Sequence, residues 1–351
     1  MAIIGLYGYY SQGNYGDDLM AVMTAVYLRQ NGYECLVYGL RQKDKLDFNI
    51  DTTCDLDEFV AKSDAIVLAG GGLYITHNSP WPPVVDAYKQ LGVLLEKCKP
   101  LNRPLFGLSL GGSGTAKFPE WQNSAITFTN QAKWVSVRNK EDLLIANRYQ
   151  RSFAHFPDIV WCCSTFFPKN VSPMPSIRIG VYSAYAINRF DEILLNMFLR
   201  ALSRLRRIEL IIINDIKVFK RLSRSMRSKQ AISCYHMCSL HDDTSLISSL
   251  DYVITSRLHV GISCMSYGGG MIALLPERKA VLALSDISLS GNIVSSRLHI
   301  CFLLLRIAFA KDADYILGRF KQISSDIRTK RSTDAMRHFS TLLSQLNLCL
   351  Q

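Results

Sequence analysis

Short apolar runs alternate with longer stretches of helical periodicity along most of this chain. Residues 3–7 read as a buried strand, followed by a glycine- and tyrosine-rich loop over 8–16. Asp17 and Asp18 then open a helix to about residue 31, with acids at its positive end. Residues 35–39 give a second strand, and an acidic, polar connection runs to residue 57. A third strand, 64–69, ends in Gly70, Gly71 and Gly72, and a helix is expected over 84–97. The next strand, 104–108, stops at Gly111 and Gly112, and another, 134–137, delivers Arg138 ahead of a helix over 141–147. Such alternation predicts parallel strands covered by helices on both faces, with ligands at the glycine-rich strand ends.

Residues 167–176 carry three prolines and read as an interdomain linker. Alternation then restarts with strands over 177–182, 209–214, 232–236 and 251–255 and helices over 192–205 and 244–250. Residues 280–284 are expected to close this second sheet, and residues 300–310 suit a core or interface helix. The pattern predicts a Rossmann-like domain over 1–170, a second over 177–310, and a helical segment over 311–351, with a central cleft between the two domains.

Composition narrows the class. With 48% hydrophobic and 20% charged residues, the 351-residue chain has the balance of an ordinary globular protein. No basic segment precedes the first apolar run, and no run reaches the ~20 residues needed to cross a bilayer, so a cytoplasmic protein is expected. Cysteines 35, 54, 98, 162, 163, 234, 238, 264, 301 and 349 form no C-x-x-C pair and read as core residues in a reducing compartment. Cys234, His236, Cys238 and His241 are the one cluster with ligand chemistry, and their alternation is that of a strand. Charge is more informative. Residues 1–175 hold 16 basic and 16 acidic side chains, leaving 24 and 13 for the remainder, and ten of the basic ones fall within 200–229. That field suits anionic substrates or an anionic membrane surface, possible peripheral attachment included. Without interleaved aromatics or a recognisable motif, it does not point to nucleic acid.

The richest stretch is 250–270. A strand leads into Ser256-Arg257-Leu258-His259, and small residues suited to close helix packing follow. Ser256 is a good N-cap, the free N–H groups of a first turn favour an anion, Arg257 adds a planar fork, and His259 supplies acid–base chemistry near neutral pH. A helix start with an ordinary ion pair and a core histidine is the structural alternative. The tetrapeptide recurs at 296–299, after a turn-like stretch, and the first copy is the better candidate because it follows a convincing strand.

Taken in order, GYYSQGNYGDDLM, AGGGLY, VSVRNKEDL, FPDIVW and ITSRLHVGISCMSYG resemble the polysaccharide pyruvyl transferases over most of the chain. The first loop does not fit G-x-G-x-x-G, and Tyr38-Gly39-Leu40 stands where a ribose-binding acid would end the second strand, so a nicotinamide cofactor is disfavoured. The resemblance implies a GT-B-like fold and transfer of the carboxyvinyl group of phosphoenolpyruvate onto two hydroxyls of a sugar, which is expected to be lipid-linked. It implies no bound cofactor or metal. It places catalysis on His259 and Arg257, and substrate binding on Arg138, Ser256, Leu258, Asn14, Gly16, Asp17, Gly71 and Gly72. Asn139 departs from the acid that often follows the family's arginine. A glycosyltransferase using a nucleotide sugar would share the fold and the basic second half. A carrier-binding protein with a decayed site is a third reading.

Overall fold

The computed structural model describes all residues except 11, 75–81, 113–118, 170–174, 183–188, 206, 226–231, 277, 310–316 and 351. Part of the proline-rich stretch and several basic residues of 200–229 (Arg206, Arg227 and Lys229) lie outside the described residues. The chain divides into two compact units, residues 1–162 with 330–351, and residues 163–329.

In the first unit the order is β1 (Ile3–Tyr7), α1 (Tyr15–Gln30), β2 (Glu34–Tyr38), α2 (Gln42–Phe48), β3 (Asp51–Thr53), α3 (Leu56–Lys62), β4 (Ala65–Ala69) and α4 (Pro82–Cys98). There follow β5 (Leu105–Leu110), α5 (Asn123–Gln131), β6 (Trp134–Val137), α6 (Leu143–Arg148) and β7 (Phe153–His155). The sheet runs β3-β2-β1-β4-β5-β6-β7, and every described pairing is parallel. β4 (AIVLA) and β5 (LFGLSL) are buried at every position, as strands covered on both faces must be. The acidic connection after β2 turns out to contain α2 and β3. Arg41 explains part of it, since its Nε lies 3.1 Å from Asp18 and 2.6 Å from Asp44, tying that connection to α1.

The second unit contains α7 (Cys163–Phe166), β8 (Ile177–Tyr182), α8 (Arg189–Leu202), β9 (Ile208–Ile213), α9 (Ile216–Ser225), β10 (Ile232–Tyr235) and α10 (Leu240–Ser248). Then come β11 (Tyr252–Thr255), α11 (Leu258–Ser266), β12 (Gly270–Leu274), α12 (Arg278–Ser285), β13 (Ile293–Val294) and α13 (Arg297–Phe309). Its sheet runs β10-β9-β8-β11-β12-β13, again parallel. Leu194, Phe198 and Leu199 of α8, Val218 and Leu222 of α9, and Ile300, Leu303 and Ile307 of α13 share one core with Ile179, Leu210 and Ile212 of the strands.

Residues 280–284, expected as a closing strand, are helical within α12. β12 and β13 lie side by side in parallel, and a parallel pair needs a crossover, which the Ala- and Leu-rich run supplies as a helix. The boundary between units falls before the prolines. Tyr267 donates its hydroxyl to Phe167 O at 2.7 Å, and its oxygen lies 3.4 Å from Cys163 Sγ, so the chain is already docked on the second unit there. The last helix, α14 (Ser325–Leu350), crosses the other boundary, and from residue 330 it belongs to the first unit. Ala335, His338, Phe339, Leu342 and Leu346 form its buried face.

Candidate functional site

In each sheet the strand order reverses once, between β1 and β4 in the first unit and between β8 and β11 in the second. At such a reversal neighbouring connections leave in opposite directions, opening a crevice beyond the strands' carboxyl ends. The predicted site residues cluster at these ends in both units.

In the second unit, β11 pairs with β8 from Tyr252 to Thr255, and Ser256 and Arg257 follow at once. Helix α11 begins at Leu258, so its N-cap is Arg257 (φ −90°, ψ 129°) and not Ser256. The Thr255 hydroxyl fixes this turn by accepting the Arg257 N–H at 2.9 Å. A guanidinium has no acceptor, so this cap residue cannot bond the first-turn N–H groups as a serine would. Leu258 is anchored in the core at 3% exposure, which leaves it only its backbone to offer a ligand, while His259 is buried and Arg257 half-buried. Behind the turn, Gly261 lets α11 approach the sheet, since a Cβ there would lie 2.1 Å from Met271 Sδ. The turn therefore combines a helix N-terminus, a guanidinium and an imidazole, a set suited to a small anion and a proton transfer.

In the first unit, Asn14 is the N-cap of α1, but its side chain turns to Asp17, with Nδ2 donating to Oδ2 at 2.5 Å. Asp17 is thus oriented by its neighbour. Asp18, paired with Arg41, is structural. Gly16 is buried within the first turn of α1. Gly70 (φ 74°) and Gly71 (φ 84°) both adopt the left-handed conformation, making a turn off β4 that an L side chain would strain. A Cβ on Gly71 would stand 3.9 Å from Asp17 Oδ1, so the two loops meet. Gly72 is exposed, its carbonyl 3.5 Å from the Tyr88 hydroxyl. The expected glycine-rich loop is filled by Tyr10, which packs on Gly8 and donates to Ala69 O at 3.0 Å. Burial, with Asp17 nearby, raises the Tyr10 phenol well above its ordinary range.

Arg138 joins this group but is not an open fork. Its Nη1 donates to Asp158 Oδ2 at 2.9 Å, its Nη2 lies 3.5 Å from Gly71 O, and both side chains of the ion pair are nearly fully buried. Asn139 donates to Asp142 instead, at 3.0 Å, so the acid expected beside the arginine is supplied by Asp158 of the F-P-D-I-V-W segment. Arg138 therefore ties the Gly70–Gly72 turn to β6 and to the segment after β7.

Two contributors were not singled out in the sequence. Asp158 sat unassigned within a quoted motif. His338, on α14, is wholly buried. Its Nε2 lies 2.9 Å from Pro157 O, a carbonyl that only accepts, so Nε2 carries the proton. Nδ1 then accepts from the Ser136 hydroxyl at 2.7 Å. Burial lowers the His338 pKa to about 3, keeping the ring neutral. Ser136 Oγ in turn accepts the N–H of Ser109, a non-glycine at φ 53° whose own hydroxyl accepts the Ile159 N–H at 3.3 Å. This network braces Asp158 from behind.

Among the described residues no three His, Cys, Asp or Glu side chains gather as a metal site, and no disulfide joins any of the ten cysteines. Burial pushes the thiols of Cys35 and Cys264 to about 12 and that of Cys98 to about 11, which makes them inert at neutral pH. Among the described residues no helix is long and apolar enough to cross a membrane.

The family model for polysaccharide pyruvyl transferase matches residues 14–277, well over half of the chain. The chain belongs to the polysaccharide pyruvyl transferase family. The match runs from Asn14 in the first unit through the Ser256–His259 turn in the second, so both groups of candidate residues lie within the family's span. None of the curated proteins matches the chain by sequence. Among solved structures, a UDP-N-acetylglucosamine 2-epimerase superposes with a TM-score of 0.66 at 10% identity, over 100% of this chain and 97% of that one. The UDP-GlcNAc 2-epimerase of Methanocaldococcus jannaschii gives 0.63 at 10% identity, over 98% and 100%. That of Neisseria meningitidis, solved bound to UDP-GlcNAc, gives 0.62 at 10%, over 98% and 100%. These likenesses establish a GT-B-type fold for this member of the pyruvyl transferase family.

Proposed function

We propose that the chain transfers the carboxyvinyl group of phosphoenolpyruvate onto two hydroxyls of a sugar in a surface-polysaccharide precursor, forming a cyclic ketal without a bound metal or cofactor. The observation that carries this reading is the placement of Arg257 and His259 at the first turn of α11, where the second sheet's strand order reverses. A dianionic phosphate and a carboxylate call for guanidinium and backbone N–H donors, which this turn offers. In the first step a sugar hydroxyl adds to C2 and releases its proton to solvent, while a protonated His259, as general acid, gives its proton to C3 of the vinyl group. A second hydroxyl then attacks C2 as the C2–O bond to phosphate breaks, and inorganic phosphate leaves with the bonding electrons. Arg257 stabilises the charge on that leaving group, and the neutral imidazole can accept the proton given up by the second hydroxyl. Ser256 and the Leu258 backbone are assigned to donor binding. In the first unit Asp17, oriented by Asn14 beside Gly71 and Gly72, presents a carboxylate suited to a sugar hydroxyl. Arg138 acts through Asp158 to position that loop. We place the reaction in the cytoplasm, on an acceptor held at an anionic membrane surface by a lipid carrier.

A thermal-shift comparison tests the donor, because a ligand selective for the folded state raises its stability. Phosphoenolpyruvate should stabilise the protein, and incubation with phosphoenolpyruvate and lipid-linked sugars should release inorganic phosphate with formation of a carboxyethylidene ketal. Stabilisation by a nucleoside diphosphate and not by phosphoenolpyruvate would make the chain a glycosyltransferase instead.

A further inference from the structure

Helices α8, α9 and α13 pack side by side in the second unit and bury their inner faces in one core. Their outer faces are unlike one another. On α13 the buried residues are Ile300, Leu303 and Ile307, and on the opposite side stand Leu298, Phe302 and Leu305, exposed by 82, 50 and 62%. Positions 298, 302 and 305 follow the spacing of one helix face, so they form a single apolar stripe. On α8, Ile193 and Met197, one turn apart, are each 50% exposed. A helix apolar on both sides is expected to be covered on both, and an exposed patch of this kind marks an interaction surface.

Charge beside the patch identifies the partner. Arg306 and Arg319 set their guanidinium groups over the Phe302 ring, 5.9 and 5.6 Å from its centroid. On α9 the outward residues are Lys217, Lys220 and Arg224, all exposed, and none pairs with an acid among the described residues. Neither α9 (IKVFKRLSRS) nor α13 (RLHICFLLLRIAF) contains an acidic residue; α8 has Asp191 and Glu192, both in its first turn. A second copy of the chain is a poor occupant, because a two-fold interface would set this basic rim against itself. An apolar stripe flanked by lysine and arginine is what an anionic bilayer surface recognises. The apolar side chains enter the boundary between headgroups and acyl chains, and the cations meet the lipid phosphates.

We propose that the outer face of α8, α9 and α13 is a membrane-docking surface, with Leu298, Phe302 and Leu305 inserting into an anionic leaflet and Lys217, Lys220 and Arg224 held at its headgroups. It deepens the proposed reading, on which it rests for the lipid-carried acceptor, but its test involves no catalysis, so either can fail alone.

The test is flotation of the full-length chain with vesicles of phosphatidylcholine, with and without phosphatidylglycerol. The wild type should float only with phosphatidylglycerol, and less as salt rises. The double variant Leu298→Asp/Leu305→Asp should lose at least ten-fold in binding at any salt. The triple variant Lys217→Gln/Lys220→Gln/Arg224→Gln should lose about five-fold per cation at low salt, and less at high salt. Leu348→Asp, at an exposed apolar position of α14, should bind like wild type. Unchanged circular dichroism and an unchanged thermal unfolding midpoint would show that each variant is folded. Equal flotation with neutral vesicles, no flotation with either, or undiminished binding of the double variant would overturn the proposal. So would a wild-type dimer in sedimentation that Leu298→Asp converts to monomer without any vesicle binding, which would assign the face to a second copy.

Discussion

The tetrapeptide Ser-Arg-Leu-His occurs twice in one unit, each time between a strand and a helix, and the two copies are built differently. At 256–259 the helix begins at leucine, so arginine is the N-cap and leucine and histidine are buried. At 296–299 the helix begins one residue earlier, at arginine. Ser296 there accepts the His299 N–H at 3.2 Å, a side-chain cap the first copy lacks. That one-residue shift turns the side chains by about 100° around the helix axis. Leu298 consequently points outward, 82% exposed, where Leu258 is 3% exposed. Position differs too, since the first copy leaves β11 beside the strand-order reversal and the second leaves β13 at the sheet's edge. The same four residues therefore make a helix N-terminus without a side-chain cap in one place and an ordinary capped helix start in the other.

The largest contrast should be in turnover. His259→Ala should fold and lose on the order of 10²–10⁴-fold in ketal formation, the usual contribution of a positioned general acid, while His299→Ala should keep most of its rate. A reversed pair would move the chemistry to the sheet edge. The glycines nearest the two copies should separate next, in stability. Gly261→Ala places a methyl 2.1 Å from Met271 Sδ and should cost about 1–3 kcal/mol, read by denaturant unfolding. Gly291→Ala meets nothing within 4 Å and should stay within about 0.5 kcal/mol. The capping difference is smaller. Ser296→Ala should cost about 1 kcal/mol, whereas Ser256→Ala removes no cap and should unfold at nearly the wild-type midpoint. Smallest is a titration shift. Burial, and then Arg319, disfavour the charged form of His299, so its NMR titration should fall below the ordinary ~6.5 and move part of the way back in Arg319→Ala. A midpoint at or above the ordinary value would contradict the burial.

Alternation of apolar runs was enough to read five strands of the first sheet and four of the second, leaving β12 and β13 unread, and glycine clusters marked the carboxyl ends of β4 and β5. The quoted motifs led to the family that the match over 14–277 establishes. The edge strands escaped notice because β3 (DTT) and β7 (FAH) are three residues long and carry little apolar signal. Residues 280–284 misled because a short run of alanine, valine and leucine suits strand and helix alike until neighbouring strands fix the crossover. Arg138 was legible as a strand-end arginine but its partner was not, since Asp158 is brought to it by the pairing of β6 with β7. His338 was beyond reach. Its contacts with Ser136 and Pro157 span 202 and 181 residues, and nothing in α14's own spacing distinguishes a hydrogen-bonded core histidine from a surface one.

The central claim is that the Ser256–His259 turn, and not its duplicate, holds phosphoenolpyruvate. Calorimetric titration of phosphoenolpyruvate into wild type, Arg257→Lys and Arg297→Lys tests it with the charge unchanged in all three proteins. A lysine keeps the charge but loses the planar fork, so Arg257→Lys should bind roughly ten- to a hundred-fold more weakly while Arg297→Lys matches wild type. Wild-type affinity in Arg257→Lys, or a loss confined to Arg297→Lys, would contradict the account.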